Sequence, residues 1–174
     1  GAASGAGDAG GGDLVIQDEA DLLTGVGGRA VLYTGSLSGS AAAAARLGAG
    51  SGRFRYDSDE SVSNFSAALG DGIWLIYREQ PWLSVNPHRR SSVYGDAVSL
   101  AGLSYSLNGL LNGDDLTLAG IGDSAVFETD AVMGSNAGDY DIRYVNGLHS
   151  ALGYGFEDGG AGGEYTIARR QISL

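Results

Sequence analysis

Residues 73–77 read IWLIY and follow directly on Gly72, and this stretch decides the fold class of the chain of 174 residues. Its aromatic and β-branched side chains favour a strand, and five residues are too few for a buried helix. No polar residue interrupts the apolar run, which is typical of a central strand. The stretch therefore predicts the central strand of a β-sheet.

Shorter apolar or alternating segments on both sides of this stretch predict further strands. They lie at residues 14–16, 30–34, 53–56, 82–85, 103–107, 116–118, 125–127, 140–144, 165–168 and 172–174. Asn108-Gly109 and Asn112-Gly113 favour tight hairpin turns. Only the alanine-rich residues 41–47 predict a helix, of two turns at most. We therefore predict an all-β fold, with an antiparallel β-sandwich module preceded by a smaller β-rich region.

The composition excludes several classes of protein. A formal net charge of -11 repels phosphate backbones, so we expect no nucleic-acid binding. No apolar run approaches the roughly 20 residues of a membrane-spanning helix, so we expect no membrane insertion. The chain has no cysteine, and all ten basic residues are arginine. Disulfides, thiolate metal sites and Schiff-base lysines are thereby excluded.

The pattern of polar residues predicts that the chain is not an enzyme. His88 and His149 are too few for a three-histidine metal site, and each lies in a predicted linker or glycine-rich loop. No serine stands in a Gly-x-Ser-x-Gly motif. Residues 5–10 match the letters of a dinucleotide-binding motif, but no strand precedes them and no helix follows. We therefore predict no catalytic residue and no organic cofactor.

Two acidic clusters are candidate cation sites. Asp57, Asp59 and Glu60 share one predicted turn, and Asp114 and Asp115 share another. Carboxylates on turns suit hard cations, so calcium is the metal to consider, although neither cluster matches the twelve-residue calcium loop. The alternative interpretation is that these side chains cap turns and form a solvated acidic face.

Two tryptophans have different predicted roles. Trp74 lies inside the apolar stretch and is predicted to be in the core. Trp82 follows a proline at the junction of the two halves and is the candidate for stacking on a sugar ring. The loop carboxylates Asp114 and Asp115 are the candidate polar ligands of the same sugar.

The second half of the chain contains a pattern that begins at a Tyr-Gly pair. The pattern comprises residues 92–96 (SVYGD), 103–107 (LSYSL), 109–117 (GLLNGDDLT), 136–142 (NAGDYDI) and 165–167 (YTI). It resembles the MBG domain (YGX type), a repeat module of bacterial adhesins with a Tyr-Gly motif near its start. The resemblance covers roughly residues 82–170 and implies an Ig-like sandwich without catalytic residues.

The first half carries a second resemblance, at residues 33–36 (YTGS), 52–60 (GRFRYDSDE) and 76–81 (IYREQP). These segments resemble the region that precedes such modules in filamentous-haemagglutinin-like exoproteins of two-partner secretion. The resemblance implies a secreted, all-β adhesin, exported through an outer-membrane partner barrel. We therefore predict a non-enzymatic structural or adhesive unit of a bacterial surface or biofilm-matrix protein, and pairing of strands between copies would assemble it into fibres. The alternative function is a polysaccharide-binding module that uses calcium.

We divide the chain into a glycine-rich segment (1–12), an N-terminal β region (13–85) and an MBG-like module (86–174). Residues 172–174 repeat the apolar-Ser-apolar pattern of residues 83–85, which indicates the first strand of a following repeat. Such a strand can pair with a sheet edge of another copy or of a flanking repeat. The competing interpretation is that both ends pack against their own domain. Expected partners are therefore other copies, flanking repeats and extracellular polysaccharide.

Overall fold

The computed structural model describes residues 5–10, 12–17, 20–160 and 162–172. The chain is mostly β, with 32% of residues in strands and 7% in helices. The elements are β1 (Arg29–Thr34), α1 (Ala41–Leu47), β2 (Phe54–Arg55), β3 (Gly72–Tyr77), β4 (Trp82–Pro87), β5 (Arg90–Val93), β6 (Tyr105–Asn108), α2 (Leu116–Ala119), β7 (Val126–Thr129), β8 (Gly138–Asn146), β9 (Gly155–Asp158) and β10 (Glu164–Ala168). The predicted all-β class is confirmed.

The apolar stretch forms β3, the central strand of a three-stranded sheet in the order β1-β3-β2. Both neighbours are parallel to it, and β1 pairs along its whole length from Arg29↔Gly72 to Thr34↔Tyr77. Residues 74–77 are buried, and Ile76 is fully inaccessible. The prediction of a central strand is therefore confirmed.

Two further sheets are built from the rest of the chain, in the orders β5-β10-β8-β7 and β6-β4-β9. Strand β8 is antiparallel to both β10 and β7, and β4 is antiparallel to β6. Strand β5 instead runs parallel to β10. The parallel pairs were not predicted, because strand direction depends on long crossover connections and leaves no local pattern in the sequence.

Contacts between residues divide the chain into two compact units, each of which is discontinuous in sequence. The first contains Gly1–Trp82, Gly109–Gly122 and His149–Gly155, and the second contains Leu83–Asn108, Asp123–Leu148 and Phe156–Leu174. Our sequence-based division places one boundary between residues 85 and 86. The contacts differ from that division because two segments of the second half belong to the first unit.

The second unit has its own apolar core. Strand β8 contributes Ile142 and β10 contributes Tyr165 and Ile167, and Ala131 completes the buried set. Partly buried side chains packed around them are Val98, Leu100, Leu103, Phe127 and Tyr140. Tyr165 and Ile167 are two residues apart, so they lie on the same face of the sheet.

The predicted strand at residues 116–118 is wrong, since these residues belong to helix α2. Asp115 caps the helix by accepting a hydrogen bond from the Leu118 N–H at 2.8 Å, and Gly120 ends it in a left-handed conformation with φ 54°. A cap at each end favours a helical turn over an extended segment. Asn112-Gly113 has the expected positive φ angles of 51° and 73°, but the strands on either side lie in different sheets and form no hairpin.

The predicted strand at residues 14–16 is also wrong, because these residues pair with no strand. The Leu14 N–H donates instead to the hydroxyl oxygens of Thr34 and Ser40, at 3.1 and 3.0 Å. At the other end, Ile172 is not part of a strand, and residues 173–174 lie outside the described residues. Strands β5 and β9 were missed.

Candidate functional site

A hydrogen-bonded group of buried side chains, which we call the carboxylate–tyrosine cluster, consists of Tyr56, Asp114, Tyr154 and Asn112. The Oδ2 atom of Asp114 accepts a hydrogen bond from each tyrosine hydroxyl at 2.8 Å. The side-chain amide of Asn112 donates to the Tyr56 hydroxyl at 3.0 Å. The exposed fractions of Tyr56, Tyr154 and Asp114 are 0%, 4% and 7%. The cluster therefore bonds all three segments of the first unit to each other.

Burial determines the protonation states in this cluster. It raises the pKa of Asp114, although hydrogen bonds from the two tyrosines and the nearby Arg55 guanidinium partly oppose that effect. It also raises the pKa values of Tyr56 and Tyr154. Both hydroxyls therefore keep their protons at neutral pH and remain donors to the carboxylate.

Arg55 is buried in the same unit, with an exposed fraction of 3%. It stacks on the ring of Trp74, with its guanidinium carbon 4.6 Å from the ring centroid. Its nitrogens donate to the backbone carbonyl oxygens of Gly52, Phe54, Ala67 and Ala68. The strand predicted at residues 53–56 is present as β2, but both of its residues are buried rather than alternately exposed, because backbone carbonyls replace the water around the Arg55 side chain.

The predicted cation ligand Asp59 accepts hydrogen bonds from the chain itself. Its Oδ1 atom accepts from the N–H and hydroxyl of Ser61 and from the Val62 N–H, and its Oδ2 atom accepts from the Ala6 N–H. The bonds from Ser61, more than the others, lower the pKa of Asp59 to about 2. Asp59 thus bonds Ala6 of the glycine-rich segment to the turn at residues 59–62.

The other two predicted ligands of this turn also contact protein groups. Asp57 accepts from the side-chain amides of Asn64 and Gln80 at 2.9 and 3.1 Å. Glu60 pairs with Arg78 at 2.9 Å. Within the described ranges, no three histidine, cysteine, aspartate or glutamate side chains are grouped to hold a metal ion. The structure does not bring the three predicted calcium ligands together.

The described parts of both terminal segments pack within their own units. Near the start, the Gly7 N–H donates to the Arg78 carbonyl at 2.7 Å. Near the end, the Nε atom of Arg170 donates to the Tyr94 carbonyl at 2.9 Å. The Tyr94 N–H in turn donates to the Ala168 carbonyl at 2.8 Å. The Tyr-Gly motif therefore joins the turn after β5 to the end of β10.

Trp82, the predicted sugar-stacking residue, has a large exposed surface, and its exposed fraction is 53%. Its ring lies over Gly155, where an added Cβ would be 2.7 Å from the nearest ring carbon. Trp74 is buried at 7% exposure, which confirms its predicted place in the core. Asp114 and Asp115, the predicted polar partners of Trp82, have other roles. Asp114 is buried in the carboxylate–tyrosine cluster, and Asp115 caps α2.

Sequence reasoning missed Tyr56, Tyr154 and Arg55 as the residues that organise the first unit. Tyr56 lies 98 positions from Tyr154 along the chain, so no local pattern links them. The sequence signal that could have indicated Arg55 is its position between Phe54 and Tyr56, because a short aromatic strand in a parallel sheet is buried on both faces.

A comparison with known protein families identifies the second half. The MBG domain (YGX type) family matches residues 83–171, just over half of the chain. The chain belongs to the MBG family. The match to the MBG domain includes two segments, 109–122 and 149–155, that lie in the first contact unit. MBG domains occur in extracellular and surface proteins, and the family suggests a structural, adhesin-like module.

Comparisons of this MBG chain with curated proteins and with solved structures gave no match. In the described part of the chain, no helix has the length and apolar character needed to span a membrane.

Proposed function

We propose that the chain is a non-enzymatic structural and adhesive unit of an extracellular bacterial surface or biofilm-matrix protein exported by two-partner secretion. Membership of the MBG family supports an adhesin-like module. The observation that carries the structural role is the carboxylate–tyrosine cluster, whose donors and acceptors bond chain segments to each other. The acidic turn at residues 57–60 is likewise bonded to the chain itself.

The cluster joins positions that are far apart along the chain. Asp114 is 58 residues from Tyr56 and 40 residues from Tyr154. While these bonds hold, a pull on the two ends cannot extend the 98-residue segment between Tyr56 and Tyr154. That segment contains β3 to β8, so these strands cannot be pulled out end to end before the cluster opens.

The test of the structural role is single-molecule force spectroscopy on the whole chain pulled from its ends. We expect the segment between residues 56 and 154 to open in one event. Tyr154→Phe removes one buried hydrogen bond to the carboxylate, worth about 1 kcal/mol, and should raise the rate of forced opening roughly fivefold. Tyr94→Phe, at an exposed tyrosine of the second unit, is the matched control and should leave that rate unchanged. Gradual extension without a force peak would contradict the structural role.

The proposal includes assembly of several copies into fibres. Strands β5 and β7 are the outermost strands of the four-stranded sheet. Val93 on β5 and Val126 on β7 are 37% and 48% exposed. An outermost strand presents backbone donors and acceptors that a strand of another copy can pair with, and a repeated, non-closing contact produces a filament.

Light scattering at increasing protein concentration tests this assembly. We expect an average mass that rises with concentration and falls again on dilution, because edge pairing is reversible. Replacing Val93 with lysine places a charge on the outer strand and should shift that rise to higher concentration. A constant monomer mass up to millimolar concentration would rule out fibre assembly by the isolated chain.

A further inference from the structure

One face of the Trp82 ring packs against the protein. Gly155 lies beneath the ring, and an added Cβ there would come within 2.7–2.9 Å of three ring carbons. The absent side chain therefore lets the ring lie flat on the backbone of β9. With 53% of the residue still exposed, the opposite face is open to solvent. A ring fixed on one face and open on the other can stack against a flat ligand with little loss of conformational entropy.

A row of polar side chains is hydrogen-bonded to the chain segment on which this ring lies. The Gln80 amide nitrogen donates to Asp57 at 3.1 Å and to the Gly153 carbonyl at 3.5 Å. Gly153 is two residues before Gly155, so Gln80 and Trp82 contact neighbouring positions of the same segment. Asn64 continues the row, because its amide nitrogen donates to both the carboxylate and the carbonyl of Asp57.

The hydrogen bonds of this row define what it can bind. Both amide side chains use their NH₂ groups as donors toward Asp57 or Gly153, which leaves their carbonyl oxygens as acceptors. Asn64 is exposed and Gln80 is partly buried. A ligand that stacks on Trp82 and meets these acceptors must combine an apolar ring face with hydroxyl donors at its edge. A hexopyranose ring has this combination.

The negative charge of the chain favours neutral sugars over acidic ones. Asp57 is the one ionisable side chain of the row, and the chain as a whole carries a formal charge of -11. This field repels uronic acids and sulfated sugars. We propose that Trp82, with Gln80, Asp57 and Asn64 beside it, forms a binding site for a neutral polysaccharide, whose sugar rings stack on the open face of the indole. This site goes beyond the structural role and does not depend on it.

Affinity electrophoresis tests the site with defined probes. The native protein is run through gels that contain hydroxyethylcellulose, galactomannan or dextran, with alginate as the acidic comparison and EDTA in every gel. We expect at least one neutral polymer to retard the wild-type chain and alginate not to. Trp82→Ala should weaken that retention by about tenfold, and Asn64→Ala by about threefold, because stacking contributes more than one hydrogen bond. Tyr94→Ala removes an exposed aromatic ring in the second unit and should migrate like the wild type.

A second measurement uses the unmodified protein. The chain has two tryptophans, and Trp74 is buried, so iodide quenching of tryptophan fluorescence reports mainly on Trp82. The retarding polymer should protect the fluorescence from iodide. The site is refuted if no neutral polymer retards the wild type, if alginate alone does, or if Trp82→Ala binds as tightly as the wild type. An unchanged unfolding force in the Trp82→Ala variant would show that the structural role is independent of this binding site.

Discussion

Replacing Arg55 with methionine is expected to lower the free energy of unfolding by about 3–5 kcal/mol. Methionine keeps an unbranched apolar stem but removes the guanidinium group. The carbonyl oxygens that Arg55 now satisfies would lose their donors, and that of Phe54 would do so in a buried position. The stacking contact with Trp74 at 4.6 Å would also be lost. Asp114 would lose the positive charge that helps to keep it ionised.

Chemical denaturation monitored by circular dichroism measures this effect. Arg169→Met is the matched control, because Arg169 is exposed, and its substitution should change the free energy of unfolding by less than about 0.5 kcal/mol. Arg55→Lys should also destabilise, since a lysine ammonium cannot reproduce the planar set of donors. A loss below about 1 kcal/mol in Arg55→Met would mean that water can replace the guanidinium at this position.

Replacing Asp114 with alanine is the second large change, with an expected loss of about 2–5 kcal/mol in the free energy of unfolding. The hydroxyls of Tyr56 and Tyr154 would lose their shared acceptor while remaining buried. The buried Arg55 would lose a compensating negative charge. Asp114→Asn keeps a carbonyl oxygen that can accept both hydrogen bonds, so it should cost less than alanine. Equal losses in the two variants would show that the hydrogen bonds to this oxygen contribute little.

The pH dependence of stability separates the charge of Asp114 from its hydrogen bonds. Burial raises the pKa of Asp114 above its ordinary value of 3.8. Between 3.8 and that raised pKa, the folded chain binds a proton that the unfolded chain has released. The contribution of Asp114 to stability is therefore full below pH 3.8 and is lost as the pH rises through the raised pKa. Relative to Asp114→Asn, the wild type should lose stability across this window. A difference that does not vary with pH would contradict the raised pKa.

Local sequence patterns predicted the strands and the helix whose buried side chains are specified by neighbouring residues. The IWLIY stretch at residues 73–77 can bury its side chains only as a covered central strand, and it forms β3. Strand β1, helix α1 and strand β4 were predicted for the same kind of reason, since apolar spacing or alanine content specified them. The pattern that begins at Tyr94-Gly95 indicated the MBG family, and the family match confirms it.

The candidate site was predicted only in part. Trp82 was singled out as a ligand residue because it follows a proline at the start of an alternating strand. The contact of its ring with Gly155 and the bond from Gln80 to Gly153 were not foreseen, because each joins segments 73 residues apart in sequence. Asp114 was singled out for its charge, but its partners place it inside the fold.

The sequence by itself determined the β class and the central strand, because these depend on which side chains neighbouring residues can bury. It also determined the MBG family, through the pattern that begins at Tyr94-Gly95. The tertiary structure decided the parallel pairing of β1 with β3, since backbone hydrogen bonds between distant strands leave no mark in side-chain order. It likewise decided that the polar β5 becomes a strand, through backbone pairing with β10. The meeting of Tyr56 with Tyr154 across 98 residues has the same origin. Contacts of that separation are specified by the packing of the whole unit, so no local sequence pattern predicts them.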